Sequence, residues 1–168
     1  MLKEVNIEDI KEGKVIDKIS NEWMLITSGN AKKSNSMTAS WGSLGYIWNK
    51  PVATIYVRHT RYTKKFLDES DFFSLCFFDK KYLGDLKYLG THSGRYDDKL
   101  AKTNLTLVYQ DGIPFIKEAS IVIICHKEYA QDMTAESFCD QNLYHQNYKN
   151  ELPHKMYIGE IIHTFVKK

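Results

Sequence analysis

Two short stretches of this sequence bring together the kinds of group that hold a phosphate. The first is Asn35-Ser36-Met37-Thr38-Ala39-Ser40-Trp41 and the second is Arg58-His59-Thr60-Arg61-Tyr62-Thr63. Alternate side chains of an extended strand share a face, so Ser36, Thr38 and Ser40 form a ladder of hydroxyls while Met37, Ala39 and Trp41 face the other way. Arg58 and Arg61 add fixed positive charge, and a helix starting near Thr63 adds the backbone donors of its first turn. The same hydroxyls also suit an exposed strand face, and Arg58 an ordinary surface ion pair. Spacing alone leaves both readings open.

A third stretch, Gly90-Thr91-His92-Ser93-Gly94-Arg95-Tyr96-Asp97-Asp98-Lys99, combines small residues that admit a ligand close to the backbone with cations that bind anions. A loop leading into an Asp-capped helix accounts for it equally well. The six histidines form no H-x-x-x-H or H-E-x-x-H pattern, so no metal site is expected. His154, just ahead of the last strand, is the histidine kept as a site candidate. Cys76, Cys125 and Cys139 are widely spaced, and the first two sit in apolar runs as small hydrophobes.

These groups need a scaffold, and two-residue alternation predicts one that is mainly β. Strands are expected at 22–28, 36–41, 51–58, 72–78, 105–109, 114–129 and 155–166, with a turn at Gln110-Asp111-Gly112. Both faces of the 22–28 strand read as occupied. Short helices are expected at 61–69 and 79–90, and residues 130–150 read as polar and irregular. The segment holding Trp41, Tyr46 and Trp48, with Gly42 and Gly45 between them, reads as a loop suited to a partner contact, to covering a ligand, or to core packing.

With 168 residues, 43% of them hydrophobic and 13% aromatic, the chain is expected to form a single packed domain over 1–168. A formal charge of +2 is far from the excess that nonspecific nucleic-acid binding requires. The acidic, polar start Met1-Leu2-Lys3-Glu4-Val5-Asn6-Ile7-Glu8-Asp9 has no leader pattern. The apolar run from Ile121 to Cys125 is far shorter than the roughly 20 residues of a membrane span. A cytoplasmic protein without membrane or nucleic-acid partners is expected.

Taken in order, five blocks resemble the flavin reductase-like, FMN-binding split-barrel family, especially its flavoredoxin-like branch. They are the 35–41 stretch, Lys50-Pro51, Arg58 with Arg61-Tyr62-Thr63, Ser93-Gly94-Arg95 with Asp98-Lys99, and His154-Lys155-Met156-Tyr157-Ile158-Gly159-Glu160-Ile161. The resemblance implies a six-stranded antiparallel split β-barrel with short flanking helices, a homodimer, and FMN near the subunit interface. It also implies that Asn35, Ser36, Met37, Thr38, Ala39, Ser40 and Trp41 run along the ribityl chain and ring edge. Thr38, Ser40, Arg58, Arg61 and Thr63 would serve the phosphate end, with Ser93, Gly94 and Lys99 nearby and His154 completing the set. At Leu89, where many members have cysteine, this chain departs from the pattern, so any redox role of that thiol is absent.

The activity so implied is hydride transfer from NADH or NADPH through FMN to free flavin, ferric iron or a protein acceptor. The flavin carries that chemistry, so no side chain is nominated as a proton donor. The alternatives are an FMN-binding electron carrier with no nicotinamide site of its own, and a flavin-free barrel that binds an anion or RNA. A clustered set of hydroxyls and arginines suits the terminal phosphate of FMN rather than FAD.

Overall fold

The computed structural model describes residues 2–4 and 15–167. Most of the acidic N-terminal stretch read for its lack of a leader therefore lies outside the described residues. Ten strands are present among the described residues: β1 (Leu2–Glu4), β2 (Met24–Gly29), β3 (Ser34–Ala39), β4 (Gly42–Ile47), β5 (Lys50–Val57), β6 (Phe72–Phe77), β7 (Leu107–Gln110), β8 (Ile113–Ile116), β9 (Ile121–Asp132) and β10 (Lys155–Lys167). The helices are α1 (Val15–Asp17), which runs on as the wider turn Lys18–Glu22, α2 (Thr63–Glu69), α3 (Leu83–Thr91) and α4 (Gln141–Tyr148).

Eight strands make one antiparallel sheet in the order β3-β2-β6-β9-β10-β5-β4, with β1 on the far end of β10. The strands expected from alternation supply the six from β3 to β5 along this path, and β4 and β1 add to them. β4 is the segment read as a loop. Its glycines and exposed aromatics mask the pattern, yet it pairs with β5 from Gly42↔Ile55 to Ile47↔Lys50. The tight β4–β5 connection puts Trp48 and Asn49 at φ 54° and 58°, the doubly left-handed geometry of a hairpin turn.

Both faces of the sheet are covered. On one, Met24 and Ile26 of β2 join Ile55, Phe73, Ile123 and Tyr157 in a core built by six strands, which close around it by curling. On the other, Leu25, Cys76 and Val122 pack under α3 and the β7–β8 hairpin. Adjacent residues of β2 thus enter different cores, as its two-sided apolar pattern requires. Cys76 and Cys125 are buried and Cys139 is exposed. Burial pushes the Cys76 thiol up to about 12 and also raises that of Cys125.

Three further expectations need correction. The stretch 114–129 is two elements, because Lys117–Ser120 break β8 from β9. The segment read as irregular contains the end of β9 and α4, whose N-cap Asp140 accepts from the Asn142 amide at 2.8 Å. The alternation of β10 fails at register shifts between Ile158 and Gly159 and between Ile161 and His163. His163 is therefore turned out to Glu4, at 2.6 Å, while Thr164 is buried. The first shift depends on Gly159, where a Cβ would lie 2.7 Å from the Phe73 ring and 2.8 Å from Cys125 Cβ.

The sheet and α2 are tied together by Asp68, which accepts from Lys64, Lys155 and the Tyr157 hydroxyl. Burial raises its pKa, but these hydrogen bonds outweigh burial and hold the carboxyl at about 2. The anchored helix carries Arg61 and Thr63 at its leading end.

Candidate functional site

A cavity of about 520 Å³ opens between β3, the end of β5, the start of α2 and the loop after α3. Of the residues singled out from the sequence, Asn35, Met37, Thr38, Ala39, Ser40 and Trp41 line its β3 side. Arg58, Arg61 and Thr63 line a second side; Ser93, Gly94 and Lys99 a third; His154 closes it. Ser36 does not reach it. Its side chain is buried behind β3, where its hydroxyl pairs with Thr27 Oγ1 at 2.8 Å.

The hydroxyl ladder is thus divided between fold and site. Thr38 reaches the cavity but donates to the Leu86 carbonyl at 2.6 Å, so its proton is committed to fixing α3 on β3. Ser40 has no hydrogen-bond partner among the described residues and remains available. The first turn of α2 is also partly spent, since the Arg61, Lys64 and Lys65 amides donate to backbone carbonyls. Side chains, more than helix amides, are what this wall offers.

Thr63 is the best positioned hydroxyl. Asn35 Nδ2 donates to Thr63 Oγ1 at 2.7 Å, which leaves the hydroxyl proton free for a ligand. Asn35 is itself wedged against the loop after α3, because a Cβ on Gly94 would sit 2.1 Å from Asn35 Oδ1. Only glycine allows that approach.

Positive charge collects at the end of α3. Lys99 Nζ donates to the Leu89 and His92 carbonyls at 2.7 and 3.0 Å, and Arg61 Nη1 donates to the Gly90 carbonyl at 3.1 Å. The carbonyl end of a helix attracts cations, which explains why two gather there. Lys99 is only 6% exposed and has no carboxylate partner among the described residues. Burial, reinforced by the Arg61 charge, lowers its pKa to about 8. A buried ammonium beside a guanidinium, facing a cavity, is an incomplete ionic arrangement that an anion completes.

Arg58 is differently placed. It lies just beyond β5 and its guanidinium is hydrogen-bonded to Glu151, the sole carboxylate on the cavity wall among the described residues. Glu151 escaped sequence reasoning because it lies in the 130–150 region's polar continuation, with no local pattern. His92 also lines the cavity, with its ring stacked on Tyr88 at 3.9 Å. At the opposite end, His154 is flanked by Trp41, ring centroids 4.8 Å apart, and shares a 2.8 Å hydrogen bond through Nδ1 with the Tyr148 hydroxyl. Burial and then the Arg58 charge lower the His154 pKa to about 4, so it is a neutral ring at pH 7. The cavity therefore joins a cationic wall at Lys99 and Arg61 to a neutral ring pair, Trp41 and His154, that lies within reach of the Arg58–Glu151 ion pair.

Among the described residues, no group of three His, Cys, Asp or Glu side chains is gathered as a metal would need. No helix among them is long and apolar enough to cross a membrane.

Comparison with known proteins identifies the fold that carries this cavity. The model of the family described as "flavin reductase like domain" matches residues 16–168. Flavoredoxin from Methanosarcina acetivorans superposes with a TM-score of 0.69 at 20% identity, over 94% of this chain and 76% of that one. An FMN-binding domain of a flavin reductases-like enzyme from Shewanella baltica gives 0.68 at 17%, over 99% and 77%. The NADH:FAD oxidoreductase of Streptomyces globisporus C-1027, in complex with NAD and FAD fragments, gives 0.65 at 16%, over 87% and 74%. The curled sheet with its short helices is the split barrel of these proteins.

Proposed function

Because this chain belongs to the flavin reductase-like domain family, we propose that it is an FMN-dependent oxidoreductase drawing electrons from NADH or NADPH. The observation that carries this reading is the pairing of Lys99 and Arg61 at one end of the cavity without a carboxylate between them. Lys99, Arg61 and the free proton of Thr63 would hold a terminal phosphate, so the residues present fit the group. Bound there, FMN supplies reversible two-electron chemistry at its ring.

The chain's own part is to bind, orient and shield. Lys99, Arg61 and Thr63 hold the phosphate end, with Ser93 and Gly94 allowing close approach. The β3 residues from Met37 to Trp41 lie along the rest of the cavity. Trp41 and the neutral His154 offer two rings against which a flat group can pack. Arg58 is engaged by Glu151 through Nη1, and its remaining guanidinium N–H groups would be what it offers a phosphate.

The flavoredoxin likeness keeps a second reading in view, an FMN-binding carrier reduced only through a partner protein. Anaerobic addition of NADH or NADPH to the FMN-loaded chain separates the two. Bleaching of the visible flavin band within seconds is expected. Bleaching only after a partner reductase is added would favour the carrier, and failure to bind FMN would overturn both.

A homodimer is part of the proposal. Tyr46 and Trp48, 70% and 50% exposed, project with Ile47 from the β4–β5 hairpin, and Trp48 lies 6.3 Å from Tyr129. Contiguous exposed aromatics of this kind mark contact surfaces. Light scattering should give twice the chain mass, and Trp48→Glu should halve it.

A further inference from the structure

The histidine beside Trp41 is held at every point but one. His154 is 6% exposed, and its ring packs against Trp41, with centroids 4.8 Å apart, and edge-on against Tyr148 at 5.5 Å. The Met133 amide donates to the His154 carbonyl at 3.0 Å, which fixes the backbone just ahead of β10. Tyr148 is 5% exposed and ends α4, with Phe138 and Tyr144 at 5.7 and 6.1 Å from its ring. Its hydroxyl meets His154 Nδ1 at 2.8 Å. The other ring nitrogen is unengaged. Nε2 has no hydrogen-bond partner among the described residues, yet it is not sealed in, because Thr164 Oγ1 alone among their buried side-chain nitrogens and oxygens lacks a partner. Nε2 therefore opens on the polar cavity that His154 lines.

A neutral imidazole carries one proton, and the hydrogen bond made by one nitrogen decides which of the two bears it. Burial and then the Arg58 charge keep His154 neutral at pH 7, and burial raises the Tyr148 phenol, so that it too keeps its proton. A protonated phenol facing a bare imidazole nitrogen donates to it, because that nitrogen is the stronger base. We propose that Tyr148 is a positioning residue for His154: its hydroxyl donates to Nδ1 and holds the imidazole in the tautomer protonated on Nε2, so that the cavity wall beside Trp41 presents one directed donor to the ring of the ligand. Tyr148 does not itself line that cavity and acts only through the histidine. The consequence is selectivity. The polar edge of a flavin ring carries carbonyl and imine acceptors as well as an N–H, and an Nε2–H favours the acceptors where a bare Nε2 would favour the N–H. The tautomer is a property of the chain alone, whereas the ring contact rests on the flavin reading.

The first test is nitrogen NMR of the flavin-free full chain carrying isotopically labelled histidine, with His154 assigned by its loss in His154→Gln. At pH 7 its Nε2 should be protonated and its Nδ1 bare. Tyr148→Phe keeps the ring in its packing and removes only the hydroxyl, so the Nδ1 resonance should move as the two tautomers mix. The second test is flavin binding by fluorescence quenching. Tyr148→Phe should weaken FMN and riboflavin alike, each by about two- to tenfold, because the change lies at the ring and not at the phosphate. Added to His154→Gln, it should cost nothing further, whereas a purely structural tyrosine would cost the same in both backgrounds. A proton on Nδ1 in the natural chain, or His154 resonances unmoved by Tyr148→Phe, would overturn the proposal. So would unchanged affinity for both flavins, a loss confined to FMN, or additive losses in the double variant. If the natural chain binds neither flavin, the flavin reading and the ring contact fall together, and the tautomer still decides the part assigned to Tyr148.

Discussion

Arg61 and Lys99 converge on consecutive carbonyls at the end of α3, Arg61 on Gly90 at 3.1 Å and Lys99 on Leu89 at 2.7 Å. They come from positions 38 residues apart in sequence (99 minus 61) and share no carboxylate among the described residues. The arrangement lets one helix end hold two cations that otherwise repel, and it fixes the direction in which they face. Replacing Lys99 by Met should lower FMN affinity by about ten- to a hundredfold, as expected for a charged hydrogen bond of roughly 1.5–3 kcal/mol. Riboflavin affinity, measured by the same fluorescence quenching, should change far less because it lacks the phosphate.

The same lysine gives FMN binding a pH dependence of known sign. Its pKa of about 8 in the free protein means that the ammonium is present at neutral pH and lost as pH rises through 8. Affinity for FMN should be flat from pH 6.5 to near 8 and then fall by up to about tenfold per pH unit. Lys99→Met should flatten that limb. Its persistence in the variant would assign the dependence to another group.

Glu151 opposes anion binding while it occupies Arg58. Glu151→Gln should therefore strengthen FMN binding, by about two- to tenfold at low salt, with the gain shrinking as salt is added. Isothermal titration at two salt concentrations measures it. Arg58→Ala should weaken FMN more than riboflavin, partly because it leaves Glu151 unpaired beside the phosphate.

Gly94→Ala places a methyl 2.1 Å from Asn35 Oδ1 and must push Asn35 off Thr63. An overpacking cost of about 1–3 kcal/mol, taken up in the site, corresponds to roughly 5- to 150-fold in FMN affinity. Gly159→Ala meets the Phe73 ring and Cys125 Cβ instead, far from the cavity's cationic end. There the cost should appear as a fall in melting temperature of about 2–4 °C per kcal/mol, read by thermal circular dichroism.

Asp68 should make the fold acid-sensitive. Its carboxyl titrates at about 2 in the folded chain against 3.8 when free, so its stabilisation is complete above pH 4 and is lost as pH falls towards 2. Asp68→Asn should lower stability at pH 7 by about 1 kcal/mol, a figure reduced for solvent screening because the side chain is 35% exposed. The variant should also show a shallower loss between pH 4 and 2 in urea titrations.

The second half of β5 and the first half of β10 were legible because their buried positions recur every second residue. β2 and β6, buried on both faces, were legible as short apolar runs, and β3 through its alternating hydroxyls. β4 was not legible, since Gly42, Gly45 and its exposed Tyr46 lack an apolar face and the strand is specified by pairing with β5. Side-chain partners were equally invisible. Ser36 and Thr38 share a period with Ser40, yet Thr27 and Leu86, distant in sequence, claim their hydroxyls. Lys99 was legible as a cation beside small residues, but nothing in its neighbourhood shows that it is buried. Its importance comes from the fold of the loop after α3, which puts the ammonium inside while its neighbours Asp97 and Asp98 stay exposed.

The unequal burial of the three cysteines has a practical reach. Cys76 and Cys125 are sealed in the two cores with their thiols held protonated, while Cys139 stands at the surface next to Phe138. A maleimide dye should therefore attach to the native protein at one position, without mutagenesis. That position adjoins Phe138, whose ring packs 5.5 Å from Tyr144 and 5.7 Å from Tyr148, so the sequence already supplies an optical reporter for any movement of α4.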